Sequence, residues 1–86
     1  MISWTSKAWA EFIEYSGKDR KTIKKIIRLL EDIERNGNDG IGKPEPLTGN
    51  LSGYWSRRID KKNRLVYRIK DGDIQIVQCG THYGDS

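Results

Sequence analysis

The chain is short and basic. It has 86 residues, of which 35% are hydrophobic and 33% are charged. A chain of this length supports one hydrophobic core, so we expect a single domain over residues 1–86. Lys and Arg number 16 against 12 Asp and Glu, and the net charge of +4 favours a polyanionic partner without proving one.

Several classes of protein are excluded by residue content. The single cysteine, Cys79, cannot form an internal disulfide and fits a reducing compartment. No Cys and His residues have the spacing of a zinc site, so we expect neither a metal nor a cofactor. No apolar run is long enough for a signal-peptide core or a membrane span. The sequence therefore predicts a cytoplasmic protein with no membrane partner.

A very short strand over residues 2–4 and a first helix open the chain. Ser6 can cap this helix and Gly17 can end it. The expected apolar face consists of Trp9, Phe12, Ile13 and Ser16. Trp4, Trp9, Trp55 and Cys79 are all expected in the core.

A second, longer helix begins after Asp19, which can cap it, and stops at Asn36-Gly37. Its apolar residues recur at helical spacing: Ile23, Ile26, Ile27, Leu30 and Ile33. Its first half is basic and its second half acidic, against the preference of the helix dipole. This arrangement hints that the basic end faces a polyanion, but a solvated polar face is the simpler explanation.

The second half of the chain predicts a loop and then a sheet. Residues 36–53 are rich in glycine and asparagine and contain both prolines, which predicts a long loop. Alternating patterns over residues 54–59 and 64–69 predict paired antiparallel strands, and Asp71-Gly72 predicts a hairpin into a third strand over residues 74–79. The order β-α-α-β-β-β predicts an α+β fold, with two helices packed on one face of a twisted antiparallel sheet.

Glu45 stands between two prolines in the predicted loop, in the segment Lys43-Pro44-Glu45-Pro46-Leu47. Prolines fix their own backbone and push the preceding residue toward an extended conformation. A stiff backbone suits a general base, whose geometry must be accurate, but prolines also stiffen loops without any catalytic role.

Four arginines occupy the predicted strands: Arg57, Arg58, Arg64 and Arg68. Alternation places Arg57 and Arg58 on opposite faces of the sheet, and Arg64 and Arg68 on one face. Guanidinium groups bind phosphate oxygens bidentately, so a cluster could bind RNA or stabilise a phosphoryl transition state. A solvated strand face remains the alternative.

His82 and Tyr83 stand near the C-terminus. His82 is the only histidine, and imidazole donates a proton readily near neutral pH. Tyr83 could stack on an unpaired base or simply anchor the tail.

Four segments together, in this order and spacing, resemble the YoeB family of bacterial toxins. They are Gly42-Lys43-Pro44-Glu45-Pro46-Leu47, Leu51-Ser52-Gly53-Tyr54-Trp55-Ser56-Arg57-Arg58-Ile59, Arg64-Leu65-Val66-Tyr67 and His82-Tyr83. The resemblance spans most of the chain, including both helices. It implies a RelE-like (microbial ribonuclease-like) fold and a metal-independent endoribonuclease that cleaves mRNA in the A site of the 70S ribosome. It also implies a YefM-like antitoxin, homodimers, and DNA binding only through the antitoxin complex.

The resemblance assigns roles to particular residues. Glu45 would be the general base on the ribose 2′-hydroxyl and His82 the general acid for the departing 5′-oxygen. Arg64 would stabilise charge on the phosphate, and Tyr83 would position the substrate at the catalytic centre. The expected substrate-binding residues are Lys43, Arg57 and Arg58.

The sequence departs from the family pattern at Thr48, at Gly80-Thr81 and in the added Gly84-Asp85-Ser86. Asp85 would repel RNA, so activity weaker than that of relatives is expected. Two alternatives stay open at this point: a non-catalytic RNA-binding or ribosome-binding module, and a ribosome-independent endoribonuclease of the same fold.

Overall fold

A computed structural model describes residues 1–80 as two helices packed against a five-stranded sheet. The elements in chain order are β1 (Ile2–Trp4), α1 (Ser6–Ser16), α2 (Arg20–Asn36), β2 (Glu45–Pro46), a 3₁₀ turn (Gly49–Leu51), β3 (Trp55–Arg58), β4 (Arg64–Lys70) and β5 (Asp73–Gly80). The predicted α+β fold is confirmed. No helix within residues 1–80 is long and apolar enough to cross a membrane.

The sheet has the strand order β1-β5-β4-β3-β2. The three predicted strands β3, β4 and β5 pair antiparallel, as expected. β1 pairs parallel with β5, so the sheet is mostly antiparallel, with one parallel pair at its edge. Both helices lie between β1 and the later strands in the chain, which provides the long crossover that a parallel pair requires.

The predicted loop over residues 36–53 contains the short strand β2, which the sequence pattern missed. Glu45 pairs with Ser56 and Pro46 with Trp55. β2 is an edge strand, where the missing N–H of Pro46 costs no hydrogen bond to a further strand. The two-residue length is too short to produce an alternating pattern.

The helix boundaries follow local capping chemistry. The cap of α1 is Thr5, whose Oγ1 accepts a hydrogen bond from the backbone N–H of Ala8 at 3.1 Å, so the prediction that Ser6 caps the helix is wrong by one residue. Asp19 caps α2 as predicted, accepting from the N–H of Thr22 at 3.0 Å. Gly17 and Gly37 lie at the helix ends, as expected.

The core lies between the helices and one face of the sheet. It contains Ala8, Ile26, Leu29, Leu30, Ile33, Ile59, Leu65, Tyr67, Ile74, Ile76 and Cys79. The prediction that Trp9 lies in the core is wrong, because its side chain is 49% exposed. Instead α1 buries the small Ala8, and Trp9 contacts Trp4 and Phe12 at the border of the core. Ile13 and Ile27 are also largely exposed, whereas Cys79 is fully buried as expected.

A β-bulge in β5 changes which residues face the helices. Tyr67 pairs with Ile76 and the preceding Val66 pairs with Gln78, so Val77 is the extra residue. Strict alternation after Ile74 and Ile76 would put Gln78 on the helix side. The bulge puts Cys79 there instead and turns Gln78 to the opposite face.

Candidate functional site

The face of the sheet turned away from the helices collects the candidate catalytic residues. Glu45 pairs with Ser56, Ser56 with Val66, and Val66 with Gln78, which forms one row across four strands. Directly paired residues carry their side chains on the same face of a sheet. The side chains of this row lie on the face of the sheet opposite the core residues. We call this surface the open face.

A second row runs parallel to the first on the open face. It consists of Arg58 and Arg64, which pair directly and are each two residues along the strand from a member of the first row. Glu45 and Arg64 are two strands apart, or about 10 Å, with a further offset of about 7 Å along the strands. Glu45, Arg58 and Arg64 therefore share one face of the sheet.

Glu45 is exposed on β2, and the chain that leads to it is held from both sides. The carbonyl of Gly42 accepts a hydrogen bond from the N–H of Arg58 at 2.7 Å, and the N–H of Leu47 donates to the carbonyl of Tyr54 at 2.9 Å. Lys43 adopts a positive φ of 50°, which turns the chain into β2. These bonds fix the backbone on both sides of the carboxylate.

Arg64 is half-buried at the start of β4. Its Nη1 atom donates to the backbone carbonyl of Asp60 at 2.8 Å and to that of Asn63 at 3.2 Å. Within residues 1–80 the described bonds of Arg64 use Nη1, which leaves the Nε and Nη2 edge of the guanidinium for a ligand. A planar edge with two N–H groups matches two phosphate oxygens.

Arg58 and Lys43 are exposed, as a substrate-binding role requires. Both line a cleft at the end of β3, next to the second row. Arg68 lies on the same strand face as Arg64, as alternation predicts, but its Nε donates to Oε1 of Gln75 at 2.6 Å and its guanidinium stacks over Tyr54 at 5.1 Å. Arg68 thus supports the sheet surface beside the site.

Arg57 does not belong to the open face, and the prediction that it binds substrate is wrong. Its side chain is 0% exposed on the helix side of the sheet. All five N–H donors of its guanidinium are used within the protein. The acceptors are the side chains of Asp32 and Tyr67 and the carbonyls of Gly37, Asp39 and Ile41.

Arg57 and Asp32 form a hub that ties residues 37–41 to α2. Asp32 also accepts hydrogen bonds from the N–H of Ile41 and from the side chain of Asn36. The hydrogen bond from Arg57 is the main reason that the pKa of Asp32 lies below its ordinary value. The hub therefore anchors the loop that continues through Gly42 into β2.

Two residues of the site region were missed by sequence reasoning. Asp32 stands three residues after Leu29 and next to Ile33 on the buried stripe of α2, and this position was the signal that it pairs inward. Gln78 is buried in the first row of the open face, and no signal distinguished it without knowledge of the bulge. Its Oε1 accepts from Lys7, but its Nε2 has no hydrogen-bond partner in the described part of the chain.

His82 and Tyr83 lie outside the described residues, so their predicted roles are not tested by the structure. Gly80, which pairs with Arg64, is the last described residue before them. Within residues 1–80, no three or more Cys, His, Asp or Glu side chains form a group that could hold a metal ion.

Comparison with known proteins agrees with this geometry. Residues 4–83 match the family of YoeB-like toxins of bacterial type II toxin–antitoxin systems. Toxin YoeB of Streptomyces coelicolor is 51% identical over 82 residues, which cover 95% of this chain and 98% of the relative.

Solved structures are equally similar. The toxin in the heterotetrameric YoeB-YefM complex from Staphylococcus aureus superposes with a TM-score of 0.91 at 45% identity, covering 96% of this chain and 97% of that one. The YoeB dimer from the same organism gives a TM-score of 0.89 at 46% identity, covering 95% of each chain. The predicted RelE-like fold is confirmed by these neighbours, and YafQ from E. coli shares the fold at 20% identity and a TM-score of 0.76.

Proposed function

Since the chain belongs to the YoeB-like toxin family of bacterial type II toxin–antitoxin systems, we propose that it is an endoribonuclease that cleaves mRNA in the A site of the 70S ribosome. The observation that carries this proposal is the common surface of Glu45, Arg58 and Arg64 on the open face. A carboxylate and two guanidinium groups on one face supply a base and phosphate ligands.

The proposed reaction is an in-line transesterification. Glu45 removes the proton of a ribose 2′-hydroxyl, and the 2′-oxygen attacks the adjacent phosphorus. The bond from phosphorus to the 5′-oxygen breaks as His82 donates a proton to that oxygen, so the first products carry a 2′,3′-cyclic phosphate and a 5′-hydroxyl. Arg64 stabilises the negative charge that builds on the phosphate oxygens, while Arg58, Lys43 and Tyr83 hold the strand in place.

No metal or cofactor enters this scheme. The two proton transfers are assigned to side chains, and each is worth about 10²- to 10⁴-fold in rate. The assignments of His82 and Tyr83 rest on the resemblance of the terminal His-Tyr pair to the family pattern.

Glu45 is exposed on β2. We propose that binding in the A site buries this side chain, and burial of a carboxylate makes it a stronger base. The pH dependence of cleavage should then differ between free RNA and programmed ribosomes, and identical profiles would count against the idea.

We further propose that the chain pairs with a YefM-like antitoxin and forms a homodimer in the cytoplasm. The support is that solved relatives of 45% and 46% identity are a YoeB-YefM complex and a YoeB dimer. Association also compensates for the small core of a chain of 86 residues. Any DNA binding would occur through the antitoxin complex.

The decisive experiment is cleavage of a defined mRNA, with and without programmed ribosomes, mapped by primer extension. The variants are Glu45→Gln, His82→Gln and Arg64→Ala, and the matched control is Glu31→Gln at an exposed carboxylate on α2. We expect ribosome-dependent A-site cuts by the wild type and the control, and a rate at least about 100-fold lower in each of the three variants.

Other outcomes are equally informative. If the wild type binds ribosomes but cleaves no RNA, the protein is a non-catalytic binding module and not an enzyme. Equal cleavage of free RNA would make the protein a ribosome-independent nuclease, and loss of that free-RNA cleavage in EDTA would contradict the metal-free scheme.

A further inference from the structure

A cleft of about 340 Å³ lies at the end of β3, between α2 and the turn that joins β3 to β4. Four cationic residues line it: Lys25, Lys43, Arg58 and Lys61. Lys43 and Arg58 belong to the proposed active site, whereas Lys25 and Lys61 have no role in it. The cleft therefore extends the positive charge of the open face toward the basic first half of α2.

Asp60 is the acidic residue of the cleft lining, and its carboxylate is engaged within the β3–β4 turn. Its Oδ1 accepts hydrogen bonds from the backbone N–H of Lys62 at 2.8 Å and of Asn63 at 2.7 Å, and its Oδ2 accepts from Nδ2 of Asn63 at 2.9 Å. These bonds direct the carboxylate into its own turn. The four cations therefore dominate the charge in the cleft.

The backbone on one side of the cleft is rigid. Gly42 has φ +81°, and a Cβ there would meet Cδ2 of Leu29 at 2.7 Å, so a side chain at this position does not fit. The bond between the N–H of Arg58 and the carbonyl of Gly42 fixes the two backbone segments that carry Lys43 and Arg58. A concave site with cations on a fixed backbone suits a small anion held by several donors.

We propose that this cleft binds a backbone phosphate of an RNA strand, beside the phosphate that is cut, with Lys25 and Lys61 as new ligands. Arg58 lies directly opposite Arg64 across β3 and β4, so the cleft is continuous with the proposed catalytic surface. The phosphate belongs either to the message or to ribosomal RNA, since both offer the same phosphodiester chemistry. The proposal rests on the proposed function for the identity of the polyanion as RNA.

The test compares two double variants of equal charge change. Lys25→Ala with Lys61→Ala removes the new ligands, and Lys18→Ala with Lys70→Ala removes two cations that do not line the cleft. Binding is measured across a salt series to two probes: an RNA carrying a 2′-deoxy nucleotide at the cut site, and ribosomes programmed with that RNA. Thermal unfolding of each variant checks that the fold is unchanged.

We expect the cleft variant to bind about tenfold more weakly than the control variant. The slope of log affinity against log salt should fall by about 0.7 for each lost contact to a single strand. A matching pair, Lys25→Arg with Lys61→Arg, keeps the charges and should restore both affinity and slope. This rescue separates a lost phosphate contact from a lost packing contact of the half-buried Lys25.

The two probes identify the source of the phosphate. Weaker binding to both probes assigns it to the message, and weaker binding to ribosomes alone assigns it to ribosomal RNA. Slopes equal to those of the control variant on both probes overturn the proposal.

The experiments distinguish an error in the cleft proposal from an error in the proposed function. Glu45→Gln should keep the wild-type salt slope while losing cleavage. Wild-type cleavage by Glu45→Gln would refute the catalytic assignment, and the salt slopes of the lysine variants would still decide whether the cleft binds phosphate.

Discussion

Arg57 and Arg58 are neighbours in the chain but belong to opposite sides of the sheet. Arg57 is 0% exposed and spends all five of its N–H donors on acceptors from α2, β4 and the loop after α2. Arg58 is exposed, and it stands across from Arg64 in the second row of the open face. Arg57 thus stabilises the fold on one face of the sheet, whereas Arg58 is available to a ligand on the other.

The difference teaches that internal partners, and not charge, separate structural from functional arginines here. A buried guanidinium is tolerated because every donor is bonded and Asp32 balances its charge. Among residues 1–80, no such set of acceptors is described around Arg58. The helix side should therefore govern stability, and the open face should govern RNA binding and cleavage.

The largest effect that tests this division is removal of Arg57. Arg57→Ala leaves Asp32 and three backbone carbonyls without their donor, and we expect a loss of about 3–5 kcal/mol in the free energy of unfolding. Arg58→Ala should change this free energy by no more than about 0.5 kcal/mol, and under the proposed function it should weaken RNA binding. Urea unfolding of both variants measures the contrast.

Arg57→Lys provides the control for charge. A lysine keeps the positive charge but cannot reach five acceptors in a plane, so most of the lost stability should remain lost. Recovery of wild-type stability by lysine would show that charge, and not the hydrogen-bond geometry, holds the hub together.

Substitution of a loop glycine by alanine should have a smaller effect on the free energy of unfolding, and the size of that effect should differ between two loops. Gly40 and Gly53 both have positive φ values, of 122° and 94°, but a Cβ on Gly40 would collide with the carboxylate of Asp32 whereas one on Gly53 meets nothing within 4 Å. Gly53→Ala should cost about 1–2 kcal/mol from backbone strain. Gly40→Ala should cost about 1–3 kcal/mol more, because it also displaces the partner of Arg57. Equal losses in urea unfolding would argue against a tightly packed hub.

Acid should weaken the helix side through Asp32. Its pKa is lowered in the folded protein, chiefly by the hydrogen bond from Arg57, so its contribution to stability is complete above its ordinary value of 3.8 and is lost as the pH falls below that value. The melting temperature should therefore decrease when the pH is lowered below about 4. Asp32→Asn should be less stable than wild type at pH 7 and should lose less on acidification. Parallel pH profiles for the two proteins would contradict this role.

The smallest expected effect concerns Cys79, which lies in the row of Arg57 and Leu65 on the helix side. Burial raises the pKa of its thiol to about 12, and its Sγ atom donates to the carbonyl of Ala8 at 3.3 Å. Iodoacetamide at pH 8 should label it in urea but not in buffer. Rapid labelling of the native protein would mean that this face opens readily.

The sequence by itself determined the α+β order, the second helix with its Asp19 cap, and the Asp71-Gly72 hairpin. These features depend on local capping, periodicity and turn conformation, which involve residues close together in the chain. The resemblance to the YoeB family likewise rested on linear motifs, and it selected Glu45, Arg58 and Arg64, which the structure gathers on one face. The roles of His82 and Tyr83 stay predictions.

Only the tertiary structure decided which side of the sheet each residue serves. Alternation predicted that Arg57 and Arg58 lie on opposite faces of the sheet. It did not predict which of them would contact Asp32 and the carbonyls of a distant loop. The extra residue Val77 exchanges the faces of Cys79 and Gln78, and β1 joins β5 in parallel at the far edge. Each outcome depends on contacts between residues far apart in the chain, whose energies local periodicity does not contain.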